Sequence, residues 1–172
     1  HATGDGINMA KKVGASLSFM DHLISYPGTV FDLKGVPTEI STRLQFPPHH
    51  FTQSIWINKK GRRFVNEHTT PDNREVAFLA QEELFFYVLF DERMRAERGS
   101  LDIRNWSSNQ MDQAINQGNV IIKADTMNQL AEKLKINPKR LSETILNYNT
   151  SIDSNQNDEF GRKEQRLKIL KP

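Results

Sequence analysis

The residues best placed for chemistry open the chain: Thr3-Gly4-Asp5-Gly6 stands directly before a helical pattern. Glycines around an aspartate at a helix start leave backbone N–H groups and the positive dipole end facing an anionic or electron-rich ligand. With no Cβ in the way, such a backbone can come close to what it holds. The plainer reading is a tight turn with Asp5 as N-cap. A second set, Arg63 and Glu67, follows the turn Asn58-Lys59-Lys60-Gly61 and reads as a supporting ion pair more than a catalytic one. His49-His50 could suggest a metal, but neighbouring side chains in an extended segment point to opposite faces and no third ligand lies at helical spacing. No metal site is expected.

The elements that position these residues alternate irregularly. Asp5 to Ala15 has Ile7, Ala10 and Val13 at helical spacing, with Gly14 near its end. Prolines at 27, 37, 47 and 48 break every periodicity from Leu17 to His50, so that stretch reads as loop with short strands. Ser54 to Ile57 reads as a strand that returns through the Asn58–Gly61 turn as Arg63-Phe64-Val65, making a hairpin. Thr70-Pro71-Asp72 starts a helix, with proline at its first position.

Phe85 to Phe90 reads as a buried strand, Asp91 to Gly99 as a charged helix, and Asn119 to Lys123 as a strand. Ser107 and Gln110 have capping-box spacing before a helix that Gly118 stops, and Thr126 and Gln129 repeat it before the stripe Met127, Leu130, Ala131, Leu134. Asn137 caps the last helix, with Pro138 at its first position and Leu141, Ile145, Tyr148 and Ile152 on one face. The mixture is α+β, without the alternation of a doubly wound sheet.

Composition narrows the class. The 172 residues can bury a real core in one domain, and 23 basic against 21 acidic residues argue against nucleic acid as a partner. The basic segment from Arg162 to Pro172 reads as a solvated linker. Cysteine is absent, which removes disulfides, thiolate catalysis and cysteine metal sites. The longest apolar run, Leu84 to Phe90, is seven residues, far short of the roughly 20 a membrane helix needs. With no basic-then-apolar leader in view, the expectation is a soluble, cytoplasmic chain without a membrane span.

Taken in order, ATGDGINMAKKVGASLSFMD, INKKGRRFVNE and FGR resemble flavoproteins of the fumarate reductase and succinate dehydrogenase family, which includes flavocytochrome-type reductases and 3-ketosteroid dehydrogenases. The resemblance covers essentially the whole chain. It implies FAD as cofactor, with Thr3, Gly4, Asp5 and Gly6 matching the turn that lies against it. Asn58, Gly61, Arg63, Phe64, Asn66 and Glu67 match the family's hairpin. The family's GxGxxG fingerprint is absent from all 172 residues, as is its glycine-rich C-terminal return segment.

The chain therefore reads as an excised piece. Residues 1–16 would be a remnant of the FAD-binding domain, 17–160 the capping and substrate domain, and 161–172 the return toward the FAD domain. Its partners would be a small-molecule substrate and the remainder of that FAD-binding domain, and alone it should be inactive. The alternative is a stand-alone α+β binding module without redox activity.

Departures from the family pattern point away from succinate and fumarate. Thr69-Thr70-Pro71-Asp72 carries proline where fumarate reductases have a proton-delivering arginine, and Tyr26 before Pro27 replaces a substrate-side histidine. The family's Thr-Glu pair before the hairpin is also out of register, with Pro47 and Pro48 in that region. Another acid or base must accompany hydride movement at the flavin. Tyr26 and Arg74 are the catalytic candidates, with His49, His50 and His68 as further loop candidates.

Overall fold

A computed structural model describes residues 3–21, 29–31, 33–34, 37–39, 54–98, 106–154 and 158–162. Among them run helix α1 (Asp5–Lys12), strands β1 (Thr29–Phe31), β2 (Pro37–Glu39) and β3 (Ile55–Ile57), and helix α2 (Pro71–Leu79). Strand β4 (Tyr87–Leu89) follows, then helices α3 (Glu92–Arg98), α4 (Ser108–Gln117), α5 (Met127–Leu134) and α6 (Pro138–Asp153). The strands form two antiparallel pairs, β1 with β2 and β3 with β4, so the described architecture is helix-rich α+β. No helix among the described residues is long and apolar enough to cross a membrane.

The core has two parts. Met94, Trp106, Met111, Ala114 and Ile121 form one cluster between α3 and α4. Ile55, Ile57, Leu89, Ala131, Ile136, Leu141, Ile145 and Tyr148 form the other, where α5 and α6 pack on the β3–β4 pair. Strand β3 is buried on both faces because alternate side chains serve different layers. Ile55 and Ile57 join the helical core, while Trp56 stacks on Phe86 at 4.5 Å and lies 6.4 Å from Phe64.

Helix starts follow their capping residues. Thr70, Ser107, Thr126 and Asn137 each accept a backbone N–H from the third residue on, and Pro71 and Pro138 open α2 and α6. The box is complete at Ser107–Gln110, whereas the Gln129 side chain accepts from the Asp125 N–H instead of from Thr126.

Four expectations about elements are corrected. Arg63-Phe64-Val65 does not return as a strand: a single bridge joins Ile57 to Arg63, and β3 pairs instead with β4. The Asn58 side chain holds the turn tight by accepting the N–H groups of Lys60 and Arg62, and Arg63 turns inward to carboxylates. Asn119 to Lys123 is bent chain without a ladder; Ile121 is drawn into the α3–α4 core. The strand expected over Phe85 to Phe90 is confined to Tyr87–Leu89, with Phe85 exposed. Helix α1 ends at Lys12, ahead of Ala15, and Gly4 rather than Asp5 holds its N-cap position.

Candidate functional site

Two stretches far apart in sequence meet in one buried polar cluster. The turn after β3 supplies Arg63 and Glu67, and residues 158–162 supply Asp158 and Arg162. Glu67 is the hub. Its Oε1 accepts from Arg63 Nε at 3.0 Å and from the Trp56 N–H at 2.9 Å. Its Oε2 accepts from Arg63 Nη2 at 2.7 Å and from Arg162 Nη1 at 2.9 Å. Arg63 Nη1 also reaches Asp158 Oδ2 at 2.7 Å, while Asp158 Oδ1 accepts the N–H groups of Phe160 and Arg162. Arg162 Nη1 donates further to the Ser54 carbonyl, and its Nη2 lies 2.9 Å from His68 Nε2.

Aromatic rings wall this cluster. The Arg63 guanidinium sits 5.2 Å from the Tyr148 ring and 5.1 Å from that of Phe160, so α6 covers one side. Burial opposes the charge on Arg63, but Glu67 and Asp158 outweigh it and hold the arginine well above its ordinary range. Burial likewise pushes against ionisation of Asp158; the Arg162 N–H and the Arg63 guanidinium overcome it and keep the carboxyl below the usual range. Tyr148 is pushed up to about 12, chiefly by burial, and its hydroxyl finds no hydrogen-bond partner among the described residues. Breaking one partner of so buried a set leaves an uncompensated charge, which is why it holds its segments firmly.

Arg74 lies beside this cluster, 3 % exposed, with Nη1 donating to the Glu67 carbonyl at 3.3 Å and its guanidinium over the Trp56 ring. Burial pulls Arg74 below its ordinary range. His68 is half-buried in the turn that leads to the Thr70 cap. Tyr26, His49 and His50 lie outside the described residues. Arg162 corrects the expectation of a solvated linker from that residue on: it is 2 % exposed because Glu67 and Ser54 hold it inside.

The N-terminal turn stands apart from this cluster. Gly4 adopts φ 76°, a left-handed conformation natural to glycine, and the Thr3 hydroxyl donates to Asp5 Oδ2 at 2.6 Å. Among the described residues, and leaving aside chain neighbours and the helix's own backbone, no heavy atom lies within 4 Å of where a Cβ would stand at Gly4 or Gly6, which leaves room for close approach. Elsewhere, a cleft of about 330 Å³ opens between β4, α5 and the Ile121–Asp125 segment, lined by none of the catalytic or cofactor-binding candidates. Among the described residues no group of three His, Asp or Glu could hold a metal ion.

The profile of the family described as "FAD binding domain" matches residues 1–170. This chain belongs to that FAD-binding family. It is 34 % identical over 168 residues to the NADH:acrylate oxidoreductase of Vibrio harveyi, covering 98 % of this chain and 15 % of that protein. It is 29 % identical over 175 residues to the 3-oxosteroid 1-dehydrogenase of Mycolicibacterium smegmatis, covering 94 % of this chain and 28 % of that protein. The open conformation of a flavocytochrome c3 fumarate reductase matches with a TM-score of 0.67 and 28 % identity, over 98 % of this chain and 27 % of that one. The chain thus spans well under a third of the length of these flavoenzymes. The family is one of FAD-dependent oxidoreductases.

Sequence reasoning found Arg63 and Glu67 but not their remote partners. Asp158 lies two residues before the FGR motif and Arg162 is its arginine, and the signal that could have joined them to Arg63 and Glu67 was charge balance: two buried guanidiniums need two carboxylates.

Proposed function

We propose that these residues are the cap-side portion of a longer FAD-dependent oxidoreductase that oxidises or reduces a carbon–carbon bond, with a substrate other than succinate or fumarate. The observation that carries this reading is the convergence of the two later motifs. Residues far apart in sequence lock the turn at 66–70 in place, and that turn leads directly to Pro71, where fumarate reductases have the proton-delivering arginine. A scaffold held this firmly, with proline at its working position, supports retained redox architecture and altered substrate chemistry. The names of the relatives, an acrylate and a 3-oxosteroid enzyme, make unsaturated carbonyl compounds the substrate class to test.

Thr3, Gly4, Asp5 and Gly6 would hold FAD. Their open backbone fits a group that approaches closely, and the acceptor-only carboxylate of Asp5 suits hydroxyl or imide donors better than phosphates. Bound flavin would carry the hydride, given by its reduced form when the carbon–carbon bond is reduced and taken by its oxidised form when the bond is oxidised. The chain's own part is to cover the site, exclude water and bring a proton to the carbon opposite the hydride. Tyr26 and Arg74 are the residues proposed for the proton; for Arg74 the support is the burial that makes its proton easier to release. In the full flavoprotein, Tyr26→Phe should lower kcat far more than Arg74→Ala, and a Tyr26→Phe enzyme as fast as wild type would remove that residue from the mechanism.

The function itself is tested by reducing the flavoprotein anaerobically and following the return of the oxidised flavin absorbance as acceptors are added. An acrylate-type or enone acceptor should reoxidise it faster than fumarate does. Reoxidation fastest with fumarate, or with none of these acceptors, would refute the proposal.

A further inference from the structure

One contact in the buried cluster depends on the protonation state of its acceptor. Arg162 Nη2 lies 2.9 Å from His68 Nε2, and a guanidinium can only donate. Nε2 must therefore accept, which makes the imidazole neutral with its proton on Nδ1. His68 sits in a turn shaped by Asn66, whose side chain accepts the His68 N–H and whose carbonyl accepts that of Thr69. The next residue, Thr70, caps α2. The imidazole thus adds a contact that can titrate to the bonds by which Glu67, Ser54 and Arg63 already hold residues 158–162.

We propose that His68 is a pH-sensitive latch: neutral, it helps Glu67 and Ser54 hold Arg162 and the 158–162 segment against the 66–70 turn; protonated, it weakens that hold. The charged and titratable groups gathered there are Arg63 and Glu67 from the turn after β3, Asp158 and Arg162 from the return segment, Arg74 from α2 and Tyr148 from α6. The Nε2 of His68 faces the Arg162 guanidinium, so a positive charge on the ring would meet a like charge there. A doubly protonated ring also meets Arg162 donor to donor. The N–H groups of Phe160, Gly161 and Arg162 all bond to Asp158, which Arg63 holds, so their protection reads whether the segment keeps its docked shape. Imidazole is the side chain that ordinarily changes charge between about pH 5 and 8, and Asp158 stays ionised across that window.

The inference concerns the described residues alone and is independent of the flavin reading. Its test is amide hydrogen exchange at Phe160, Gly161 and Arg162, corrected for intrinsic rates, at about pH 8 and about pH 5.5. Wild-type protection should fall about tenfold at the lower pH, the size of one lost charge-assisted hydrogen bond. His68→Gln keeps an acceptor that does not titrate, so its protection should stay level; His68→Lys, always charged, should be low at both values. Constant wild-type protection, or a fall in His68→Gln equal to that of wild type, would overturn the latch. If the lysine variant does not fold, the glutamine comparison decides alone.

Discussion

Helices α1 and α6 are both amphipathic, yet one is covered and the other bare. α6 buries Leu141, Thr144, Ile145 and Tyr148 against β3 and the turn after it, and Thr144 clips that turn by donating to the Gly61 carbonyl at 2.7 Å. α1 buries nothing: Met9 is 68 % exposed and Val13 at its end 85 %, with Phe19 and Met20 exposed just beyond. The same kind of sequence pattern therefore carries two meanings. An apolar stripe with a partner in the fold is core, and one without is a face awaiting cover. On the proposed reading the nucleotide-holding body covers α1, whereas α6 and its ion cluster form a finished unit.

The contrast can be broken most severely at its hub. Glu67→Ala removes the carboxylate shared by Arg63, Arg162 and the Trp56 N–H, and should cost about 3–5 kcal/mol in urea unfolding. A loss below about 1 kcal/mol would mean the cluster does not hold the α6 side together. Gly61→Ala comes next, at about 1–3 kcal/mol, because φ is 75° there and an added Cβ would lie 2.6 Å from Ile136 Cγ2. Thermal unfolding of that variant at wild-type temperature would show that the turn can relax.

Tyr148→Phe should change stability by less than about 1 kcal/mol at neutral pH, since the hydroxyl it removes has no partner among the described residues. Its signature is in alkali. The folded tyrosine titrates at about 12, above its unfolded value near 10, so its contribution is complete below about pH 10 and lost as pH rises through 12. Wild type should therefore lose stability relative to the variant over that range, and parallel curves would place the tyrosine elsewhere. The smallest effect belongs to the bare helix: Met9→Lys should shift the stability of this chain by no more than about 0.5 kcal/mol. In the full flavoprotein the same change should weaken FAD retention, which the ratio of flavin to protein absorbance reads directly.

Legibility in the sequence followed the range of the interaction. Caps at Thr70, Ser107 and Asn137 were readable because each is settled within four residues. The stripe of α6 was readable for the same reason. The pairing of β3 with β4 was not, since turn chemistry at Asn58–Gly61 looks alike whether the chain returns as a strand or turns Arg63 inward. Arg162 looked like one more cation in a basic tail; only its meeting with Glu67, far away in sequence, makes it a core residue. At the first helix the cap position fell one residue early, on Gly4, whose left-handed φ of 76° suits glycine better than aspartate.

The central claim is that this chain supplies the covering side of a flavoenzyme and not the unit that grips the nucleotide. Equilibrium titration of the 172-residue chain with FAD, followed by flavin fluorescence, tests it most directly. The expected result is no saturable binding at micromolar concentrations, alongside one tightly held FAD per chain in the full-length flavoprotein. Stoichiometric, tight binding by the 172 residues alone would contradict the account.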